Sequence, residues 1–309
     1  IFAGWPGVQS DSAGLAAVGL PDHADGRLRS YDAWADSLAR RETTLADLSR
    51  RLTGYGVTAV TDATPDLGAD AIVTLTDARR HRDLIQHVHW LAPGKRILHD
   101  DGLDLDELTA WITEKHRAAT AVALHCVTAA QLVVTVAALR SAGVRPGDRI
   151  EHAAVVPADA IADLTDLGVL VVTQPNFVAE RGDDYLADVE PADQPALWRL
   201  GTLLTAGVRV ALSTDLPFGA ADPWAAMRAA VHRRTPTGAV LSPTERVSAT
   251  TALAMFLGTA ERPDVPRTIA AGQLGDLCVL SAPPTDVLTR LDSALVEATI
   301  VAGELQTVS

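Results

Sequence analysis

Short runs of β-branched residues recur along the chain, and three of them share one pattern. Each begins with Gly, which suits the end of a preceding helix. Each continues as an uninterrupted apolar run, typical of a strand buried in a parallel sheet, and then reaches a polar side chain. The pattern therefore predicts strands within Gly56–Asp62, Gly168–Pro175 and Gly207–Asp215, preceded by helices at Leu45–Tyr55, Ala158–Leu167 and Pro195–Ala206.

Further strands and helices alternate between these units. The predicted strands are Ala121–Cys126, Arg149–His152 and two short strands within Leu84–Leu98, and the predicted helices are Leu105–Arg117 and Ala129–Ala142. Such alternation is typical of a parallel sheet built from strand–helix units. Seven strands are predicted before Arg267, whereas a closed barrel of this kind has eight. We therefore expect an α/β fold, a (β/α)8 TIM-like barrel whose first strand lies upstream of Ile1.

The pattern changes after Arg267, where strands joined by turns replace the strand–helix units. Ala271–Leu280 and Val296–Val308 are the predicted strands. We expect residues 1–266 to form the barrel domain and residues 267–309 to be the C-terminal part of a small β domain. Because a barrel without its first strand exposes apolar edges, we expect it to aggregate alone or to need a partner, and a homodimer is one option.

Charge and cysteine content narrow the range of partners. The chain has 309 residues and a formal net charge of −13. An acidic surface repels phosphate backbones and anionic lipid heads, so nucleic acids and membranes are disfavoured and a small-molecule ligand is expected. Two isolated cysteines suit a reducing, cytoplasmic compartment. No apolar run reaches the roughly 18 residues of a membrane-spanning helix.

Polar side chains stand at the carboxyl ends of the predicted strands, which is the edge of a barrel where sites form. They are Asp62, His125, Glu151, His152, Gln174 and Asp215. Imidazole and carboxylate groups that converge on one point are the ligands of an ion such as Zn²⁺. Such an ion would activate water for hydrolysis, and a neighbouring carboxylate would move the proton. Alternatively, these residues are ordinary polar strand ends that meet solvent.

Four stretches of sequence resemble amidohydrolase family 3, which includes enzymes of the N-substituted formamide deformylase type. They are Val122–Thr128, Asp148–Ala153, Val172–Pro175 and Leu212–Pro217, and Ala271–Leu280 is similar to the family's return to its β domain. The resemblance implies metal-dependent hydrolysis of a non-peptide C–N bond in a small molecule. It implies that His125 and His152 bind the metal and that His152 is also a catalytic residue.

The same resemblance gives Asp215 two roles, as a residue that contacts the metal centre and as the general base and then acid. It implies that Glu151 and Gln174 line the site. It also implies that the tail is half of a β-sandwich.

Two positions depart from the family pattern. The His-x-His motif of the family's first strand is missing from its expected place. The sequence has one such pair, His87-Val88-His89, and it follows the Asp62 strand. We favour a structural role for this pair. Many relatives have a lysine on the fourth strand that is carboxylated and bridges two metal ions. Alignment with the family pattern places Arg96 at this position, and arginine cannot be carboxylated. A shift of the alignment by one residue places Lys95 there instead. One divalent ion, with Zn²⁺ favoured, is therefore expected, and two ions stay an alternative.

Several weaker candidates and alternatives stay open. Glu180 and Arg181, in the segment Phe177–Asp183, are expected to line the site as part of a substrate loop, or else to form an exposed charged turn. The chain is alternatively a barrel without its full metal set that acts as a binding protein. It is alternatively a metal-free enzyme that uses Asp215 and His125 as an acid–base pair.

Overall fold

The computed structural model describes residues 44–307. Its helices are α1 (Leu45–Gly54), α2 (Ala69–Arg80), α3 (Leu105–Arg117), α4 (Ala129–Ala142), α5 (Ala160–Leu167), α6 (Asn176–Asp188), α7 (Leu200–Thr205), α8 (Pro223–His232), α9 (Ala249–Ala254) and α10 (Pro284–Arg290). Its strands are β1 (Ala59–Asp62), β2 (His87–Trp90), β3 (Lys95–Ile97), β4 (Ala123–Cys126), β5 (Arg149–His152), β6 (Leu170–Thr173), β7 (Arg209–Leu212), β8 (Leu277–Leu280), β9 (Val296–Val301) and β10 (Glu304–Thr307).

Parallel strands and helices alternate from β1 to β7, as the sequence predicts. Strands β3 to β7 form one sheet in chain order, and β1 pairs with β2 in parallel. Strands β8, β9 and β10 form an antiparallel sheet near the C-terminus. The predicted fold class, an α/β TIM-like barrel with a C-terminal β portion, is confirmed. The prediction of an absent first strand and the boundary after residue 266 stay predictions, because residues 1–43 are not described and Leu45–Ser309 forms one compact unit.

One predicted helix is interrupted. Instead of a continuous helix over Pro195–Ala206, a short 3₁₀ turn at Gln194–Ala196 precedes α7. The backbone N–H of Trp198 donates to the Ala154 carbonyl at 2.8 Å, and Trp198 takes a left-handed φ of 49°. Pairing with the segment after β5 therefore competes with the helical hydrogen bonds. This pairing is a long-range contact that local sequence does not reveal.

The two faces of the central sheet differ in polarity. Leu124 and Ile150 belong to the main apolar core, together with buried residues of the surrounding helices. Residues level with one another on the opposite face include His125 and Glu151, since β4 and β5 pair them directly. Both are buried, so the inside of the barrel carries the polar groups. Within residues 44–307, every helix is too short or too polar to span a bilayer.

Asp148, just before β5, ties β5 to β4 and to the helix before β4. Its carboxylate accepts hydrogen bonds from the backbone N–H groups of Val122 and Arg145, each at 2.8 Å, and lies 3.0 Å from His116 Nε2. In Asp148→Asn an amide NH₂ would face a backbone donor, so we expect the free energy of unfolding to fall by about 2 kcal/mol. Urea unfolding measures this. Asp163→Asn, which removes an exposed ion pair, should change it by less than about 0.5 kcal/mol; equal effects would contradict the prediction.

Candidate active site

Adjacent strands bring two imidazoles together. His125 on β4 and His152 at the end of β5 lie with their ring centroids 4.5 Å apart and their planes at 76°. Strict alternation would place the His152 side chain on the same face of the sheet as its pairing partner Cys126. That face packs against the helices, since Cys126 Sγ contacts the Thr135 hydroxyl on α4. Instead, His152 has a left-handed φ of 71°. This backbone turn lets the His152 ring join His125, so the close pair depends on a conformation that non-glycine residues rarely adopt.

Burial keeps both imidazoles neutral. Loss of solvation lowers the pKa of His125 to about 2, and the neighbouring His152 and Lys95 lower it further. Loss of solvation likewise lowers the pKa of His152 to about 4, with Lys95 adding to the effect. A neutral imidazole carries a lone pair on one ring nitrogen, which is the form that binds metal ions.

Gln174, at the end of β6, determines which nitrogen of His152 carries the proton. The amide Nε2 of Gln174 donates to Ser213 Oγ at 2.8 Å and to the Val172 carbonyl at 3.3 Å. The amide oxygen therefore faces His152, whose Nδ1 lies 2.8 Å away and must act as the donor. The lone pair of His152 is consequently on Nε2. Hydrogen bonds of this kind orient the histidine ligands of metal centres.

Asp215 lies beside this pair. Its Oδ2 is 4.0 Å from His152 Nδ1, which is too far for a hydrogen bond. Burial raises the pKa of Asp215 to about 7; the charge of Lys95 acts in the opposite direction, and that of Glu151 raises the pKa further. A carboxyl group with a pKa near neutrality can both accept and return a proton.

Helix α6 holds the loop that carries Asp215. The side-chain amide of Asn176 donates to the Thr214 carbonyl at 3.1 Å. Glu180, one turn further along α6, accepts from the backbone N–H of Ala220 at 3.0 Å. The Glu180 carboxylate thus binds the protein backbone of the Asp215 loop, and its role in lining the site stays a prediction. The loop is therefore fixed on both sides of Asp215.

The same loop passes too close to α6 for a side chain at Gly219. A Cβ atom there would lie 2.4 Å from the Thr214 carbonyl oxygen and 2.4 Å from Asn176 Nδ2. The guanidinium of Arg181 also donates to the Phe218 carbonyl. These contacts join segments about 40 residues apart, so neither Asn176 nor Gly219 has a local signal that sequence reasoning could have used.

Lys95, rather than Arg96, faces the inside of the barrel. The Lys95 side chain is buried, and burial lowers its pKa although the charges of Glu151 and Asp215 act in the opposite direction. Arg96 points the other way, donates to Glu107 at 2.8 Å and lies over the ring of an α3 tryptophan. Alternation on β3 directs Arg96 to the helices, on the side of its pairing partner Leu124. Lys95, which a shift of the register by one residue restores, is therefore the β3 cation near Glu151 and Asp215.

Glu151 is accompanied by a cation in the same interior. Burial acts to raise the pKa of Glu151, but the charges of Arg149 and Lys95 outweigh it and lower that pKa overall. Arg149 Nε lies 2.6 Å from Glu151 Oε1, although outside hydrogen-bond geometry. The predicted lining residue Glu151 thus serves as the counter-charge for two buried cations.

Two other sequence candidates lie apart from these contacts. The carboxylate of Asp62 accepts from the Thr64 N–H at 2.9 Å, and no contact within residues 44–307 joins it to His152 or Asp215. His87 of the His-x-His pair lies 3.3 Å from Asp276 Oδ1 and 3.2 Å from Arg79. These contacts support the structural interpretation of His87.

The predicted ligands are neighbours without forming a complete coordination sphere. In the part of the chain from 44 to 307, no three His, Cys, Asp or Glu side chains are close enough together to hold a metal ion. The donor chemistry nevertheless suits one, since two neutral imidazoles meet, one of them oriented by Gln174, with a carboxyl group beside them. The types of donor present therefore fit a divalent ion.

The chain belongs to the amidohydrolase family, whose sequence model matches residues 10–306. It is 33% identical over 164 residues to the N-substituted formamide deformylase of Arthrobacter pascens. That alignment covers 51% of this chain and 30% of the relative, so it spans less than a third of the relative's length. The resemblance to amidohydrolase family 3 is confirmed.

Solved structures share the fold. An uncharacterized metal-dependent hydrolase from Pyrococcus furiosus has a TM-score of 0.62 and 21% identity, over 82% of this chain and 64% of that one. A mutant of the atrazine chlorohydrolase TrzN from Arthrobacter aurescens, complexed with zinc and atraton, has a TM-score of 0.59 and 16% identity, over 99% of this chain and 80% of that one. At these identities the likeness establishes the fold alone.

Proposed function

We propose that the protein is a metal-dependent hydrolase that cleaves an amide or similar non-peptide C–N bond of a small molecule. The observation that carries the proposal is the meeting of two buried, neutral imidazoles, His125 and His152, next to Asp215. Membership of the amidohydrolase family supports the reaction class. The named relative supports a substituted formamide as the first substrate to test.

His125 and His152 would hold the ion, with Asp215 at its edge. An ion held by these residues would supply Lewis-acid chemistry, polarising the substrate carbonyl and making water a better nucleophile. Zn²⁺ is the favoured ion because imidazole and carboxylate donors suit it. Because Lys95, and not Arg96, faces inward, a second ion fits this chain better than the sequence alone indicates.

Asp215 moves the proton. The carboxylate accepts a proton as the water oxygen bonds to the carbonyl carbon, and it then delivers that proton to the amide nitrogen as the C–N bond breaks. The products are a carboxylic acid, formate in the case of a formamide, and an amine. The pKa of about 7 suits both halves of this transfer. Asn176 and Glu180 keep the carboxylate in place through the loop that they bind.

Release of formate and amine from a panel of N-substituted formamides tests the reaction directly. The purified full chain with one to two equivalents of added Zn²⁺ should release both products in equal amounts, and a chelator should abolish release. No release from any member, or release that the chelator leaves unchanged, would contradict the proposal. Chelator-resistant hydrolysis would instead favour the metal-free acid–base alternative with Asp215 and His125.

Gln174→Leu should weaken metal binding without unfolding the protein. The substitution keeps the approximate volume but removes the acceptor that holds the His152 ring. Loss of such a partner typically costs roughly 10- to 100-fold in metal affinity. Competition with a fluorescent chelator measures the affinity. An affinity equal to that of the unmodified chain would show that Gln174 does not orient His152.

The remaining features stay predictions. We propose a cytoplasmic protein on the basis of the two free cysteines, Cys126 and Cys278. We propose a small-molecule substrate, with no nucleic acid or membrane partner, on the basis of the net charge of −13. A homodimer is proposed as well, and sedimentation of the purified chain tests it.

A further inference from the structure

Arg181 is held firmly beside the Asp215 loop. Its guanidinium carbon lies 4.6 Å from the ring centroid of Phe177, and one of its nitrogens donates to the Phe218 carbonyl. Phe177 is itself buried and packs against Trp198, with ring centroids 5.3 Å apart. The side chain is thus immobilised between a buried aromatic ring and the loop that follows β7.

Among the residues that the structure describes, no acidic side chain balances the charge of Arg181. Within residues 44–307, no carboxylate oxygen lies within 4.0 Å of its guanidinium, whereas Arg209 pairs with Asp264 at 2.8 Å. The neutral Phe218 carbonyl is its hydrogen-bond acceptor, and the buried Nε has no partner in the described part of the chain. The positive charge reaches Asp215, whose pKa it lowers. A partly buried cation therefore stands at the mouth of the site with donors to spare.

We propose that Arg181 binds a carboxylate on the substrate, so that the molecule cleaved is an N-acylated amino acid, such as an N-formyl amino acid, rather than a neutral amide. This inference rests on the proposed function and specifies its substrate class. A planar guanidinium matches the two oxygens of a carboxylate. Its contacts with Phe177 and with the Phe218 carbonyl place the guanidinium beside the loop that carries Asp215.

A single negative charge fits the site better than a phosphate dianion. One arginine supplies one positive charge, and Asp215 and Glu180 lie on the neighbouring segments. The chain as a whole carries −13. A more highly charged group would meet repulsion from these carboxylates.

Matched pairs of probes test the inference on the full, metal-loaded chain. Each pair consists of an N-formyl amino acid and its C-terminal carboxamide. Three pairs are used, one with a small, one with an aliphatic and one with an aromatic side chain. Calorimetry gives the dissociation constants, and formate release gives kcat and KM. In at least one pair the carboxylate should bind roughly 10- to 100-fold more tightly than the carboxamide, as expected for a charged hydrogen-bonded pair.

Arg181→Gln should reduce that preference to near unity while carboxamide binding changes little. Arg181→Lys, which keeps the charge but loses the fork, should give an intermediate preference and covers the case in which the Gln variant fails to fold. Arg140→Gln, on an exposed surface, should leave the preference intact.

Absence of preference in all three pairs, or an equal loss for both probes in Arg181→Gln, overturns the inference. Formate release without a preference for the carboxylate probes would support the hydrolase proposal and contradict the role of Arg181. A binding preference without formate release would support the role of Arg181 in binding a carboxylate and contradict the hydrolase proposal.

Discussion

Asp215→Asn should lower kcat for amide hydrolysis by at least about 100-fold while leaving the fold intact. General acid–base catalysis contributes roughly 10²- to 10⁴-fold, and an amide side chain can neither take the proton from water nor return it to the leaving nitrogen. Asn is nearly isosteric, so the contacts of Asn176 and Glu180 with the loop should survive. Stopped assays of formate release, with circular dichroism as a check on folding, measure the effect.

Asp188→Asn is the matched control for this experiment. Asp188 is exposed at the end of α6, so the same chemical change there should alter kcat by less than about twofold. An Asp215→Asn variant that retains more than about a tenth of the kcat would mean that another group carries the proton.

Arg233→Met should lower the free energy of unfolding by about 3 kcal/mol. Arg233 is fully buried at the end of α8, and its guanidinium donates to the carbonyls of Leu241, Trp198 and Leu197 at 3.0, 2.9 and 3.3 Å. Methionine leaves all three acceptors buried without donors. Relief of the cost of burying a charge, which lowers the pKa of Arg233 to about 10, offsets part of this loss.

The neighbouring residue provides the control. Arg234 is exposed and donates to the Gly238 carbonyl at 3.0 Å, so Arg234→Met should change stability by less than about 0.5 kcal/mol. Guanidinium chloride unfolding of the two variants gives the comparison. If both variants lose the same free energy of unfolding, the hydrogen bonds from Arg233 to the three carbonyls do not stabilise the fold.

The local sequence pattern was sufficient for most of the barrel. Arg149–His152, Leu105–Arg117 and Ala129–Ala142 begin and end where the pattern places them. In these segments, burial on a parallel sheet and helical capping act in the same direction. The pattern was insufficient around Trp198, where pairing with Ala154 competes with the helix.

The sequence predicted only those features of the site that depend on which residues stand at the ends of the strands. Topology places His125 and His152 at the ends of adjacent strands, which the sequence pattern predicted. The left-handed turn at His152 and the inward direction of Lys95 depend on backbone geometry, which the residue types alone do not specify.

Arg181 is a different case, because its segment was singled out in the sequence but its role was not. Stacking on Phe177 and contact with the Phe218 carbonyl give it a defined place beside Asp215. Neither contact follows from the spacing of the residues. Specificity at such sites resides in loops, which vary independently of the barrel that supports them.

Metal content of the purified full chain tests whether His125 and His152 bind a divalent ion. After dialysis against buffered Zn²⁺ and gel filtration, elemental analysis should find one to two equivalents of zinc per chain. His125→Ala and His152→Ala should each lose at least one equivalent, whereas His81→Ala, at the surface end of α2, should lose none. Zinc retained in full by both folded alanine variants, or no zinc in the unmodified chain, would contradict the account.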